Sequence, residues 1–251
     1  MSKELGNNIG KLTHVSRRLT VAITEPLFRT NRKDEFNGLS NAADILKKGK
    51  GLVIFFNHFS LKDPPHMVRE IFVQKEMRNK RIVAPLAHHM YKDSYGIIGN
   101  ILGVVVKPIV NENTLKKAKY KELELGNGTK EYIDESINAL KQGGIVLLPP
   151  QGTREESLGQ PKQRIVGNFM ARANRNGLTK FGILFIGIGI EGTNDYSQGV
   201  TRGFNLRRKY SVHIGSCLTN QDLMQKANGS YKAVDNIVFE ELGKVVPPSY
   251  K

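Results

Sequence analysis

From residue 51 onwards, the chain carries continuous apolar runs that are rich in β-branched side chains. Runs of this length and composition are typical of strands buried on both faces of a sheet. A further stretch alternates apolar residues with smaller or polar ones, which also predicts a strand. The predicted strands are residues 51–56, 81–86, 103–110, 144–148, 181–190 and 209–217.

Segments with apolar residues at helical spacing lie between these runs. The predicted helices are residues 64–77, 94–102, 129–142, 164–174 and 231–246. The last one stops before Pro247, because proline cannot continue a helix. Strands that alternate with helices predict a single α/β domain, with a mainly parallel β-sheet flanked by helices.

The N-terminal region has a different pattern. Residues 9–28 place apolar side chains at helical spacing with Arg17 and Arg18 among them, and a basic, polar stretch follows. This predicts an amphipathic helix that either packs on the core or lies on a membrane surface. We therefore divide the chain into residues 1–40, an amphipathic helix with a basic connector, and residues 41–251, the α/β domain.

The charge of the chain indicates an anionic partner. Thirty-eight Lys and Arg residues against 23 Asp and Glu give a formal net charge of +15. Anionic lipid, nucleic acid and acidic or phosphorylated substrates all fit this charge. Because the basic residues are spread along the chain without a recognisable RNA- or DNA-binding motif, nucleic acid is the weakest of these candidates.

Composition also bears on the compartment. Cys217 is the single cysteine, so no internal disulfide can form, which fits a reducing compartment. No apolar run reaches the roughly 18 residues needed to span a bilayer, and the N-terminus lacks the pattern of a secretory signal. We expect a cytoplasmic protein that is peripheral on the cytoplasmic face of a membrane.

Two polar segments follow predicted strands, where parallel α/β sheets bind their ligands. In the first, His58 leaves a strand and Asp63 precedes a helix, so the carboxylate can hold the imidazole as a general base. Asp63 is also the expected N-cap before Pro64, a compatible role, and His58 has an alternative as a buried histidine bonded to a backbone carbonyl.

The second polar segment follows the predicted strand 144–148. It contains Gln151, Gly152, Thr153 and Arg154, a glycine turn that exposes a hydroxyl and a guanidinium. Arginine can hold an oxyanion such as phosphate with two parallel hydrogen bonds. The alternative is a solvated loop with incidental charge.

Together these segments resemble the glycerolipid acyltransferases, the superfamily of glycerol-3-phosphate and lysophosphatidate acyltransferases. Residues 57–63 match the family's Asn-His-x-Ser-x-x-Asp block, and residues 149–154 resemble its Pro-Glu-Gly-Thr-Arg block. The likeness covers about residues 50–195 and implies a general base, His58, oriented by Asp63. It further implies substrate-binding roles for Asn57, Ser60, Lys107, Gln151, Gly152, Thr153 and Arg154.

The implied activity is O-acyl transfer of the 1-acylglycerol-3-phosphate acyltransferase type. A fatty acyl group would pass from acyl-CoA or acyl carrier protein, as co-substrate, to a hydroxyl of a lysophospholipid or glycerol phosphate. No metal and no organic cofactor is expected. The expected partners are the donor, a phosphorylated lipid acceptor and an anionic membrane surface.

The chain departs from the family pattern at two positions. Gln151 stands where the family usually has glutamate, and Ile109 stands where an intermediate block usually has a phosphate-binding arginine. Lys107, two residues away on the same strand face, is the candidate substitute. The change at Gln151 indicates either a different acceptor or decay of catalysis, so the alternative function is a non-catalytic or divergent lipid-binding protein.

Other motifs receive less support. Gly187, Gly189 and Gly192 satisfy the dinucleotide-binding spacing, but a polar loop follows them in place of a helix. The sequence has no G-x-S-x-G elbow, no Walker A motif and no Cys/His cluster at metal-ligand spacing. A serine hydrolase, a nucleotide-binding enzyme and a metalloenzyme are therefore unsupported.

Overall fold

The computed structural model of the chain describes residues 17–19, 30–60, 63–92, 96, 99, 102–197 and 209–251. Within these ranges the strands form a single seven-stranded sheet with the order β1-β7-β6-β2-β5-β3-β4. The strands are β1 Thr30–Lys33, β2 Leu52–Phe56, β3 Ile82–Ala87, β4 Val104–Ile109, β5 Ile145–Leu148, β6 Gly182–Ile190 and β7 Tyr210–Thr219.

Most neighbouring strands in this sheet run parallel. The pair β6–β7 is antiparallel, and the pairs β1–β7, β2–β5, β2–β6, β3–β4 and β3–β5 are parallel. Every residue of β2, β5 and β6 is buried, as expected for strands covered on both faces. The predicted α/β fold with a mainly parallel, helix-flanked sheet is confirmed.

The helices connect and cover the strands. They are α1 Gly38–Lys47, α2 Asp63–Val73, α3 Lys75–Arg78, α4 His88–Met90, α5 Glu112–Leu115, α6 Thr129–Lys141, α7 Ile165–Arg175, α8 Asn220–Lys226 and α9 Val234–Gly243, with 3₁₀ turns at Ala118–Tyr120 and Pro248–Tyr250. Helix α6 packs on β3, β4 and β5, whereas α1 and α9 pack on β6 and β7. None of the described helices combines the length and the apolar composition needed to cross a bilayer.

Several predicted helix boundaries differ from the observed ones. The predicted helix 64–77 is divided at Gln74, whose extended backbone separates α2 from α3. The predicted helix 231–246 shortens to α9, and the predicted helix 94–102 falls mostly outside the described residues.

The boundary placed after residue 40 lies inside a helix of the domain. Strand β1 pairs with β7 at the edge of the sheet, and α1 spans residue 40 while packing on the sheet. The sequence does not predict β1, because its residues are polar. An edge strand is solvated and needs no apolar run. Residues 30–40, predicted as a connector, thus belong to the α/β domain.

The predicted N-terminal helix lies almost entirely outside the described residues. Of it, residues 17–19 are described, and they are helical. Arg17 is 4% exposed, and its guanidinium donates to the carbonyls of Leu102 and Gly103. Arg17, expected among the basic residues of this helix, is therefore a buried anchor to the domain.

Candidate active site

Polar segments converge where β2, β5, β3 and β4 end. These strands are neighbours and parallel, so their carboxyl ends meet at one edge of the sheet. The segment beginning at Asn57 follows β2, and the one beginning at Pro149 follows β5. His89 and Asn111 lie close after the ends of β3 and β4, respectively. The fold thus brings together residues that are far apart in sequence.

The two residues expected to form a base are in contact. The Nδ1 atom of His58 lies 3.1 Å from the Oδ2 atom of Asp63. The His58 side chain is 16% exposed, whereas the Asp63 side chain is fully buried. A carboxylate at this position holds the ring with Nδ1 inward, so Nε2 remains for a substrate proton.

The Asp63 carboxylate is held from the turn that precedes it. Oδ2 also accepts hydrogen bonds from the backbone N–H groups of Phe59 and Ser60, both at 2.7 Å. Asp63 is the first residue of α2, but these bonds run back to the turn, whereas an N-cap would accept from the helix ahead. Burial raises the pKa of this carboxyl, and the hydrogen bonds from His58, Ser60 and Phe59 act against that rise.

The loop after β5 is attached directly to the histidine. The backbone N–H of His58 donates to Oε1 of Gln151 at 2.7 Å, and the N–H of Glu155 donates to the His58 carbonyl at 2.9 Å. Between these contacts the loop turns at Gly152, where φ is +72°, a left-handed conformation that favours glycine. The two sequence blocks are therefore joined by hydrogen bonds on both sides of residues 152–154.

Gln151 makes its hydrogen bonds inside the protein. Besides accepting from His58, its Nε2 atom lies 3.0 Å from the Ser157 carbonyl and 3.0 Å from the Tyr250 hydroxyl. The resemblance implied a substrate-binding role for Gln151, but its amide donor is already occupied inside the protein. The structure makes Gln151 a residue that holds the loop against the end of β2.

Asn57 and Ser60 also serve the scaffold. Asn57 is fully buried, and its side chain exchanges hydrogen bonds with the backbone of Ile188 on β6 at 2.7 and 2.9 Å. Ser60 is 2% exposed, and its backbone N–H supports Asp63. The substrate contacts predicted for these two side chains are at odds with this burial, and both residues shape the turn that carries His58.

Lys107 does not replace the missing arginine. Its Nζ atom lies 3.4 Å from Oε2 of Glu135 on α6. Ile109, two residues further along β4, lines the cleft instead. Two residues span about 6.6 Å along a strand, so Lys107 starts too far from the strand end and pairs with the helix packed above it.

Two adjoining cavities lie at this edge of the sheet, and His58 lines the first of them. The first, which we call the His58 cleft, has a volume of about 160 Å³, and the second, the neighbouring cavity, of about 470 Å³. Pro85, Ile109, Asn111, Pro149, Gly152 and Thr153 line both. The polar lining of the His58 cleft consists of His58, His89, Asn111, Asn113, Thr153 and Arg154. The two cavities thus form a groove along the carboxyl edge of the sheet.

The loop residues present mixed charge to this groove. Arg154 is partly buried in the wall of the His58 cleft. Thr153 donates from Oγ1 to Glu155 at 3.0 Å, and Lys162 donates to the same carboxylate at 2.7 Å. Glu155 thereby ties both residues into the loop, while Gly152, Thr153 and Arg154 all lie within the groove, as the sequence analysis expected.

Three polar residues of the cleft were missed by the sequence analysis. His89, Asn111 and Asn113 line it, and Nδ1 of His89 lies 3.0 Å from the Thr114 hydroxyl. No partner stands near His89 in the sequence, because Thr114 lies 25 residues further along the chain. Parallel α/β sheets bind ligands at the carboxyl ends of their strands, and the sequence analysis inspected the residues after β2 and β5 for this reason. The same inspection of the residues after β3 and β4 identifies His89 and Asn111.

The motifs that were set aside in the sequence analysis have other roles. A Cβ atom on Gly187 would lie 2.1 Å from the Val245 carbonyl, and one on Gly189 would lie 2.4 Å from the Pro247 ring. These glycines therefore allow residues 245–247 to pack closely on β6. Among the residues that the structure describes, no group of His, Cys, Asp and Glu side chains is arranged to hold a metal ion.

We expect Arg154→Ala to weaken binding of an anionic acceptor far more than binding of the acyl donor. A charge-assisted hydrogen bond contributes about 1.5–3 kcal/mol, which is roughly 10- to 100-fold in the acceptor KM. Arg154→Lys should recover only part of this loss, because lysine lacks the bidentate geometry. Steady-state kinetics on both substrates measure the effect, with Arg175→Ala, an exposed arginine at the end of α7, as control. An unchanged KM for every phosphorylated acceptor would exclude this role.

We expect Gln151→Glu to lower the free energy of unfolding by about 1–3 kcal/mol, because an oxygen then faces the Ser157 carbonyl. Burial would raise the pKa of the new carboxyl, and its protonated form can still donate. The loss is therefore small below the unfolded pKa of about 4.3 and grows as the pH rises. Urea unfolding at pH 5 and pH 8 tests this, with the exposed Gln160→Glu as control. Equal stability loss at both pH values would contradict the assigned contacts.

Comparison with known proteins gives a likeness of fold. No family model matches the chain, and no curated protein sequence is significantly similar to it. Among solved structures, the chain is similar to the crystal structure of the 1-acyl-sn-glycerophosphate (LPA) acyltransferase PlsC from Thermotoga maritima. The TM-score is 0.49 and the sequence identity 13%, over 97% of this chain and 83% of that chain.

Proposed function

We propose that the chain is an O-acyltransferase that moves a fatty acyl group from a thioester to a hydroxyl of a phosphorylated glycerolipid precursor. One observation supports this most strongly. His58, paired through Nδ1 with the buried Asp63, lines the same cleft as Arg154, and hydrogen bonds of the His58 N–H and carbonyl join the two segments. A base and an anion-binding group therefore face one small space.

In the proposed reaction, the acceptor hydroxyl lies against Nε2 of His58. As the hydroxyl oxygen attacks the thioester carbonyl carbon, the imidazole takes the hydroxyl proton and Asp63 stabilises the imidazolium that forms. The tetrahedral intermediate collapses, the carbon–sulfur bond breaks, and the leaving thiolate takes the proton from His58. An ester and a free thiol result, and the histidine regains its starting state without an acyl group on the protein.

The groove suits substrates of this kind. Arg154 offers hydrogen-bond donors for an anionic group on the acceptor. The neighbouring cavity includes Ile133, Leu148 and Phe169 in its wall, which suits an apolar chain. The resemblance of residues 57–63 and 149–154 to glycerolipid acyltransferases supports the same substrates, with acyl-CoA or acyl carrier protein as donor and no metal or organic cofactor.

The net charge of +15 supports a further part of the proposal, that the protein works at an anionic membrane surface in the cytoplasm. The lipid acceptor would be presented there, and the same positive charge would favour an acidic donor.

An acyl-transfer assay on vesicles tests the proposal. Purified protein is supplied with lysophospholipids, glycerol 3-phosphate and glycolipids in turn, each with acyl-CoA and with acyl carrier protein, at low and high salt. We expect transfer to a phosphorylated acceptor, and weaker transfer as salt screens the surface. If the protein binds lysolipids but acylates none of them, it is the non-catalytic lipid-binding protein that Ile109 in the cleft wall would favour.

A further inference from the structure

Tyr250 lies behind the candidate active site, outside both cavity walls and far from His58 in sequence. It belongs to the 3₁₀ turn Pro248–Tyr250 and is fully buried. Its ring packs against Phe59 and Tyr196, with ring centroids 5.6 and 5.0 Å away. Phe59 directly follows His58, so this aromatic cluster supports the turn that carries the base.

The hydroxyl of Tyr250 reaches the two chain segments that meet behind the site, the turn at His58 and the loop after β5. It lies 3.0 Å from Nε2 of Gln151, 3.1 Å from the Glu155 carbonyl and 3.4 Å from the His58 carbonyl. The shortest contacts fit a hydroxyl that accepts from the Gln151 amide and donates to Glu155. Burial raises the pKa of the Tyr250 hydroxyl above its ordinary value, so the proton needed for donation is retained.

These contacts join the base to the anion-binding loop. Gln151 in turn accepts from the His58 N–H, and Glu155 donates to the His58 carbonyl. The Leu158 N–H also donates to the Tyr250 carbonyl at 2.6 Å. One hydroxyl therefore fixes the distance between His58 and residues 152–154 without touching the groove.

We propose that Tyr250 is a positioning residue for the reaction, and that its hydroxyl, acting through Gln151 and Glu155, sets the place of His58 relative to Arg154. This inference rests on the proposed acyl transfer. Reaction rates depend steeply on such placement, and a shift of about 1 Å can reduce a rate by about 10²-fold. A buried hydroxyl that only contributes to stability would not have this effect.

The test compares Tyr250→Phe with Tyr196→Phe. Both changes remove one hydroxyl from the same aromatic cluster. The Tyr196 hydroxyl bonds to the Ile190 N–H and to the Ser249 side chain, and among the described residues no hydrogen bond joins it to the loop after β5. We expect similar losses of thermal stability in the two variants. We expect kcat to fall about tenfold in Tyr250→Phe only, with an unchanged KM for the acyl donor. An unchanged kcat in Tyr250→Phe, or an equal loss in Tyr196→Phe, overturns the proposal.

A double-mutant cycle tests whether Tyr250 acts through Gln151. In a Gln151→Met background, Tyr250→Phe should reduce kcat by much less than it does in the wild-type background, because the shared contact is already lost. If the loss of kcat in the double variant equals the product of the two single losses, Tyr250 does not act through Gln151.

NMR of the His58 imidazole separates this proposal from the proposed function. The ring signals, assigned by their loss in His58→Ala, should shift in Tyr250→Phe and stay in place in Tyr196→Phe. If the wild type transfers no acyl group and the signals still shift as expected, acyl transfer fails and the positioning contact stands. Unshifted signals in Tyr250→Phe overturn the positioning role whatever the activity.

Discussion

His58→Ala should reduce acyl transfer by about 10²- to 10⁴-fold, the usual loss when a positioned general base is removed. His58 lines the cleft, and its imidazole is held by a buried carboxylate. Water cannot replace it efficiently, because the acceptor hydroxyl would have to lose its proton without a base in place.

The control for this variant is His213→Ala. His213 lies on β7, paired in register with Gly187, and lines neither cavity. The His213→Ala variant should keep a rate per folded molecule close to that of the wild type. Equal activity of the wild type and purified His58→Ala would end the proposed mechanism.

Asp63→Asn should slow transfer strongly, by about 10²-fold or more, while the fold persists. If the amide oxygen takes the place of Oδ2, the His58 Nδ1–H and the backbone N–H groups of Phe59 and Ser60 keep their acceptor. The imidazolium nevertheless loses its counter-charge. If the amide nitrogen faces His58, Nδ1 must act as the acceptor. The proton then sits on Nε2, which can no longer accept one from the substrate.

A matched control for the loss of a buried carboxylate is Asp235→Asn. Asp235 is 2% exposed and accepts from the backbone N–H groups of Val166 and Gly167 at the start of α7, and it lines neither cavity. We expect it to lose stability and to keep kcat. If Asp63→Asn changes only stability, in the way that Asp235→Asn does, then Asp63 is a structural residue of the turn.

The strands could be predicted because they are buried on both faces. Residues 52–56 and 182–190 are completely buried, so their sequences are apolar throughout, and the pattern alone identifies them. Strand β1 could not be predicted, because its four residues are polar and lie at a solvated edge, so no apolar run marks the strand. Its place depends on pairing with β7, far along the chain.

The base could be predicted because its two residues are close in sequence and its loop follows a recognisable strand. His58 and Asp63 are five residues apart and meet across one turn. The roles of Asn57, Gln151 and Lys107 could not be predicted in this way, because each depends on a partner in another element. These partners are Ile188 on β6, Tyr250 in the last 3₁₀ turn and Glu135 on α6.

The most direct test of the account follows a labelled acyl group through one turnover. Protein in excess is mixed with a radiolabelled acyl thioester and a phosphorylated lysolipid on anionic vesicles, and the label in lipid ester, in protein and in free fatty acid is measured over time. We predict that ester appears at the same rate as the free thiol, that no label stays on the protein, and that both signals are lost in His58→Ala. Label retained on the protein, or ester formed at the wild-type rate by His58→Ala, would contradict direct transfer by a histidine base.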